Sequence, residues 1–423
     1  MNVLLVGGGG REHALAWKLA QSPRLARLVA APGNPGIARH AECVAVSIDD
    51  HAGLLGLCDK ERPDLIVIGP EIPLVAGLAD RLVDAGFSVF GPRARAAAIE
   101  GSKAFSKALM KRHGVATAGF ETFDDAGRAR RFARDLGAPL VVKTDGLAAG
   151  KGAIVCTTLA EADDAIAACL ERREFGASGA RVIIEEFLVG EEVSFFALVS
   201  GRHSVPLAAA QDHKAVFDGD RGPNTGGMGA FSPVVSFDAA MQARVMATLV
   251  RPTIGALADE GAPFSGVLFV QLMLTAAGPK IVEFNCRFGD PECQALLAPM
   301  EADLLPMLAA VADGAVPSAV PASRRAAVCV TLASGGYPGQ YATGIPISGI
   351  EDAEAMTGVQ VFHAGTARRD GRLVTSGGRV LGVTAVGDDV PHAVEIAYEA
   401  VARIRFDGMH FRRDIGRRRA VAV

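Results

Sequence analysis

Four short apolar runs, each stopped by glycine or proline, dominate the first hundred residues. Val3-Leu4-Leu5-Val6 ends at Gly7, and Leu28-Val29-Ala30-Ala31 ends at Pro32-Gly33. Leu65-Ile66-Val67-Ile68 stops at Gly69-Pro70, and Ser88-Val89-Phe90 at Gly91-Pro92. A run that is apolar at every position, not at alternate ones, is a strand buried on both faces. Such strands, separated by stretches with helical spacing such as Ala14 to Ala20, build a parallel sheet covered by helices. In these sheets ligands lie beyond the carboxyl ends of the strands. Three of those ends carry Gly or Gly-Pro, where backbone approaches a ligand closely.

The remaining length sets the organisation. At ~150 residues per domain, 423 residues suggest about three domains. Linkers are expected near 93–102 and 313–325. Ser102 caps a helix over Lys103–His113, stopped by Gly114. Pro139–Lys143 and Gly152–Cys156 read as strands around the glycine-rich turn Thr144–Lys151. Arg181–Phe187 is a further strand, and 266–286 a hairpin turning through Ala276-Ala277-Gly278-Pro279. Beyond residue 327 come short β-rich pieces. With 43 basic against 47 acidic residues the net charge is −4, which argues against a nucleic-acid-coating or polybasic membrane protein. Seven cysteines form no CxxC pair and no zinc spacing, so they read as free thiols in a reducing, cytoplasmic setting. There is no signal-peptide pattern at Met1 and no uncharged run near the ~20 residues of a membrane span. Nothing in the sequence calls for a membrane or an obligatory protein partner.

Four stretches carry chemistry. Gly7-Gly8-Gly9-Gly10 follows a strand, but Glu12 breaks the dinucleotide fingerprint and no ribose-binding acid closes the second strand. The loop is left as an anion contact through its N–H groups or as a plain tight turn. Gly146 to Gly152 has three residues where a Walker A loop has four, and Gly152 stands where Ser or Thr would bind magnesium. It reads as a flap whose Lys143 and Lys151 suit triphosphate oxygens, or else as a solvated hairpin. In Glu283-Phe284-Asn285-Cys286-Arg287, strand alternation places Glu283, Asn285 and Arg287 on one face. A carboxylate and an amide oxygen there suit Mg²⁺, and Arg287 suits a carboxylate or phosphate; the plain alternative is an exposed ion-pair strand. Gln211–Lys214 and Gly222–Gly229 flank a glycine-rich stretch that fits a lid, a substrate loop or a merely mobile loop. His13 and His213 fit structural or catalytic roles equally. Arg412, Arg413, Arg417, Arg418 and Arg419 read as a solvated tail.

Taken in order, several of these segments resemble the glycinamide ribonucleotide synthetase (phosphoribosylamine–glycine ligase) family. They are Gly10–Ala16, Gly69-Pro70-Glu71 with Pro73-Leu74-Val75, Glu100–Lys103, and Lys143 with Asp145–Gly152. Gln211–Lys214, Pro223–Gly229, Glu283–Glu292 and Ser334–Gly339 complete the set, which spans essentially the whole chain. The resemblance implies an α/β and α+β multidomain fold. A Rossmann-like pre-ATP-grasp domain over 1–101 precedes an ATP-grasp core of two α+β subdomains over 102–322, with the flap and hinge at about 120–192. A small β-rich domain over 323–423 follows. Lys103 and Lys143 would contact ATP phosphates, Gly150, Lys151 and Gly152 would lie on the flap, Glu185, Glu186, Phe187 and Leu188 would form the adenine hinge, and Glu191 would lie near the ribose. Glu283 and Asn285 would hold Mg²⁺ or Mn²⁺. Substrate contacts would come from Gly9, Gly10, Glu71, Asp212, Lys214, Asn224, Gly226, Gly227, Met228 and Arg287, with Lys143, Arg287 and Asp212 catalytic. The implied reaction joins glycine to 5-phosphoribosylamine with ATP, in purine synthesis. Two departures stand out: Gln271, where the family usually has a small residue, and Ala215-Val216-Phe217, which lacks a basic residue common there.

Overall fold

The computed structural model describes residues 1–147 and 152–417. The first strands, β1 (Asn2–Gly7), β2 (Arg27–Pro32), β3 (Glu42–Cys43), β4 (Leu65–Ile68) and β5 (Val89–Phe90), form a parallel sheet in the order β3-β2-β1-β4-β5. Val3 to Val6 are buried, as runs with two covered faces require. The first helix, Gly10–Leu19, begins four residues before the apolar spacing does. Its first turn is held by Glu12, whose Oε2 accepts the Gly9 N–H at 2.7 Å. The glycine loop therefore does carry a carboxylate, the chain's own.

The expected linker at 93–102 is instead a helix, Ala94–Gly101. Its alanines favour helix, and Asp80 Oδ2 accepts the Ala94 N–H at 2.7 Å where the first turn lacks an internal partner. The next helix, Lys103–Arg112, is capped as expected, Ser102 Oγ accepting from Phe105 N at 3.1 Å. Residues 313–325 hold neither helix nor strand.

Strands β6 (Phe120–Phe123), β7 (Leu140–Thr144), β8 (Ala153–Cys156) and β9 (Val182–Glu186) form an antiparallel sheet ordered β6-β9-β7-β8. Next come β10 (Glu191–Gly201), β11 (His203–Asp212), β12 (Ala215–Phe217), β13 (Arg221–Asn224), β14 (Gly229–Ser232), β15 (Phe264–Thr275) and β16 (Gly278–Asn285). The last are β17 (Ala326–Ala333), β18 (Val359–His363), the pair β19 (Thr366–Arg369) and β20 (Arg372–Thr375), and β21 (Arg379–Gly387). One eight-stranded sheet runs β16-β15-β10-β11-β14-β17-β21-β18. Its join is β14, which pairs with β11 through Gln211↔Phe231 and Asp212↔Ala230, and with β17 on its other side. The glycine-rich stretch after Gln211 is thus no open loop: it contains the β12–β13 hairpin and this bridging strand.

The basic end departs from a solvated tail at one residue: Arg413 and Arg417 are exposed, Arg412 is not. Arg412 is completely buried, its guanidinium held by Asp220 Oδ1 (2.8 Å), Asp414 Oδ2 (2.7 Å) and the Ala215 carbonyl (3.1 Å). A buried charge persists only when paired in this way. Arg417 stacks over the Tyr398 ring at 5.1 Å, and Arg418 and Arg419 lie outside the described residues. Among the described residues no helix is long and apolar enough to cross a membrane.

Candidate active site

The parallel sheet's carboxyl edge, the four-stranded sheet and the large sheet enclose a cleft of about 460 Å³. One wall is cationic. The helix Lys103–Arg112 brings Lys103 and Lys107 to it, and β7 brings Lys143. Glu185, on β9, sits between two of these: its Oε2 lies 3.0 Å from both the Lys107 and Lys143 Nζ atoms. Lys107 also donates to Thr117 Oγ1 at 2.7 Å. Burial drives Lys107 down to about 8 although Glu185 holds it up, and the Lys143 ammonium adds to the fall. One carboxylate cannot neutralise three ammonium groups, so this wall keeps a net positive charge suited to a polyanion.

The opposite wall is rich in carboxyls. The β15–β16 register sets Gln271 opposite Glu283 and Phe269 opposite Asn285. The Glu283 carboxylate makes no hydrogen bond or ion pair among the described residues. Burial alone would raise its affinity for a proton, but Lys103, Lys143, Lys214 and Arg287 together hold it down to about 2. A partly buried, ionised carboxylate with no direct partner fits a hard divalent cation. Asn285 Oδ1 lies beside it and accepts from Arg287 Nη2 at 3.1 Å. Arg287 is also 3.1 Å from Glu71 Oε2 and 3.1 Å from Glu100 Oε1. Burial opposes ionisation of Glu71, yet Arg287 and Arg11 hold it near 2. Lys214 pairs with Glu192 Oε2 at 2.7 Å and lies 3.9 Å from Asp212 Oδ2.

The cleft collects most, not all, of the residues that sequence reasoning put there. Lys103, Lys143, Gly152, Glu185, Glu186, Phe187, Leu188, Glu71, Asp212, Lys214, Asn224, Gly226, Glu283, Asn285 and Arg287 line it. Gly150 and Lys151 lie outside the described residues. Glu191 is not among the residues that line the cleft, and its Oε1 accepts from Gln211 Nε2 at 3.3 Å. Met228 is completely buried, and a side chain on Gly227 would meet Pro291, so neither lines it. Gly9 and Gly10 stand behind it, against Glu12, Asp290 and Gln294. Glu185 enters through its side chain, as the partner of two lysines, where the resemblance implied only a hinge. His13 and His213 are away from the cleft: His13 Nδ1 accepts the His363 N–H at 2.7 Å, and burial with the nearby Arg412 lowers His213 to about 4.

Other lining residues were missed. Lys107 had a signal, lying four residues after Lys103 on a helix already read, hence on the same face. Glu292 stood in a quoted motif with no role given. Arg379 had none: it comes from β21 and binds the Gly226 carbonyl at 2.6 Å and Asp290 Oδ2 at 3.0 Å. Tyr337 Oη accepts the Gly226 N–H at 3.2 Å, tying the Ser334–Gly339 motif to the same loop.

Two sheets facing each other across a lysine-lined, carboxylate-floored cleft are the architecture of an ATP-grasp ligase. A biotin carboxylase from Campylobacter jejuni superposes with a TM-score of 0.74 at 13% identity, over 97% of this chain and 92% of that one, and shows the fold alone. Models of the phosphoribosylglycinamide synthetase N domain, ATP-grasp (A) domain and C domain match residues 1–100, 101–293 and 327–418, and the chain belongs to this family. Phosphoribosylamine–glycine ligases from Rhizobium meliloti and Pseudomonas aeruginosa are 51% and 48% identical over 417 and 422 residues, covering 98% and 99% of this chain and 98% of each relative. The crystal structure of the Thermotoga maritima phosphoribosylamine–glycine ligase matches with a TM-score of 0.86 at 33% identity, over 98% of this chain and all of that one.

Proposed function

We propose that this chain joins glycine to 5-phosphoribosylamine, converting ATP to ADP and phosphate and giving glycinamide ribonucleotide, a step of purine biosynthesis. The observation that carries this reading is the opposition of charge across the cleft: three lysines, two of them sharing Glu185, face the unpartnered carboxylate of Glu283. Glycine's carboxylate is a poor acyl donor because its oxygen leaves badly. Transfer of the γ-phosphoryl group gives glycyl phosphate, whose leaving group is phosphate. The amine nitrogen then attacks the acyl carbon, the C–O bond to phosphate breaks, and an N–H proton is lost. No side-chain nucleophile is required.

In this reading Lys103, Lys107 and Lys143 hold the triphosphate and spread the charge that develops on the transferring group, so most of the catalysis is positioning and electrostatics. Phe187 and Leu188, where β9 leaves the cleft, take the adenine. Glu283 and Asn285 would hold Mg²⁺ or Mn²⁺, which would supply positive charge to offset that of the triphosphate. Arg287, fixed by Glu71 and Glu100, presents its remaining surface to a substrate anion. The β12–β13 hairpin and the Asn224–Gly226 segment, braced by Tyr337 and Arg379, shield the acyl phosphate from water. The free thiols fit a reducing compartment, and we place the reaction in the cytoplasm. The test is ADP release with glycine, with and without phosphoribosylamine formed in situ. Release that requires both supports the proposal, and release triggered only by another amine overturns it.

A further inference from the structure

A site for glycine must offer a counter-charge to its ammonium group, and the cleft leaves little choice. Glu71 and Glu100 are paired with Arg287, Glu185 with two lysines, Glu186 with Lys280, Glu192 with Lys214, and Asp290 with Arg379. Glu283 stands with the metal ligands. Asp212 and Glu292 are left. Glu292 opens the short helix Glu292–Leu297, is 4% exposed, lines the cleft and has no basic group within ion-pair distance among the described residues. The two carboxyls meet through one hydroxyl: Ser194 Oγ lies 3.2 Å from Glu292 Oε1, 3.5 Å from Asp212 Oδ1 and 3.2 Å from Gln271 Oε1.

That geometry sets a proton count. Gln271 turns its NH₂ toward the Glu192 carboxylate (3.4 Å), which can only accept, so its oxygen faces Ser194. The hydroxyl has one proton and three oxygens around it. With both carboxyls ionised, two of the three contacts would lack a proton; a proton on Glu292 lets it donate to Ser194, which donates onward. Burial raises Asp212 as well, but Lys214, 3.9 Å away, pulls it back, whereas Glu292 has no cation within ion-pair distance among the described residues, so the proton rests on Glu292. Burial and the Asp212 charge push Glu292 up to about 7, and Arg287 and Lys214 pull against them. Around it the helix Gly10–Leu19 contributes Arg11, β17 Cys329 and β21 Arg379, the cations there being engaged by Glu12 and Asp290.

We propose that Asp212, Ser194 and Glu292 form the seat for glycine's ammonium group, and that Glu292 holds a proton in the free site and releases it to solvent when the ammonium arrives. The balance is simple: the ammonium keeps its three protons, one O–H bond of Glu292 breaks, and the buried site gains a cation for the proton it loses. This rests on glycine being the acyl substrate.

The consequence is linkage between glycine and pH. Below neutrality each unit of falling pH makes expulsion harder, so KM for glycine rises by up to about tenfold per unit and levels off at higher pH. Titration calorimetry of glycine into the full chain with a non-hydrolysable ATP analogue, in buffers of different ionisation enthalpy, should show about one proton released below neutral pH. Glu292→Gln should release none, raise the glycine KM by about tenfold or more, flatten its pH dependence and leave the ATP KM in place. A pH-independent glycine KM in the wild type, no proton release, or a Glu292→Gln enzyme with an unmoved glycine KM would overturn the seat. If that variant fails to fold, the wild-type proton count and pH profile still decide. Failure of the underlying reading looks different: wild-type enzyme would release no ADP with glycine and the amine at any pH.

Discussion

The two walls of the cleft solve opposite problems with the same device. On the cationic wall one carboxylate, Glu185, is shared between two ammonium groups, so charge is left over to meet phosphate. On the acidic wall one ammonium, Lys214, is shared between Glu192 and, at longer range, Asp212, so negative charge is left over to meet cations. Full pairing on either side would give a tighter free protein and a poorer site. Each wall is kept short of partners, and burial makes that shortage felt.

The harshest way to break this contrast is to neutralise the acidic wall where no partner exists. Glu283→Gln keeps the shape and removes the charge, and should lower kcat/KM for ADP release by about a thousandfold. A variant retaining a tenth of wild-type turnover would remove Glu283 from the metal role. The matching change on the other wall, Lys143→Met, should cost about a hundredfold in kcat while the melting transition stays in place. The fold survives because Lys107 still neutralises Glu185. Near-wild-type turnover by Lys143→Met would end its phosphate role.

Two milder changes sharpen the comparison. Gln271 faces Glu283 across the hairpin with a neutral amide. Gln271→Glu adds a charge where metal affinity depends on charge count, and should tighten Mg²⁺ or Mn²⁺ binding to the nucleotide-free protein by about tenfold in calorimetry. No gain would mean the charges on this wall do not set metal affinity. A Cβ on Gly10 would lie 2.7 Å from Gln294 Nε2 and 3.2 Å from Asp290 Oδ1, which lines the cleft from behind. Gly10→Val should raise KM for the amine about fivefold and leave ATP alone. If only the ATP KM moved, the parallel-sheet domain would not serve the amine.

What could be read from the chain was local. Unbroken apolar runs announced the parallel sheet, and Ser102 announced its helix. The Glu283–Arg287 alternation placed three side chains on one face because strand period fixes it. What escaped reading depends on register and on distant pairing. That Glu185 would sit between Lys107 and Lys143 follows from β9 lying beside β7, a neighbourhood no local pattern encodes. Arg412 reads as part of a solvated basic run because the groups that bury it, Asp220 and the Ala215 carbonyl, lie far off in sequence, and the nearby Asp414 alone does not announce burial. The stretch 93–102 is a helix and not the expected linker, and the acid that holds its first turn, Asp80, lies outside it.

The gentlest test of the contrast uses pH on the cationic wall. Lys107 is held near 8, so it is charged at neutrality and loses its proton as pH rises further. Once Lys107 is neutral, Glu185 draws on Lys143 alone, and the wall has less charge to spare for phosphate. From about pH 7 to about pH 9 the KM for ATP should therefore rise about threefold, and a lowered lysine value gives that sign and no other. Lys107→Met fixes the neutral state at every pH. Its ATP KM should match the wild type's alkaline value and stay flat, once the titration of ATP itself is cancelled by taking the ratio of the two enzymes. A ratio that does not change with pH would show that Lys107 supports the wall by packing alone, and that the surplus charge resides in Lys103 and Lys143.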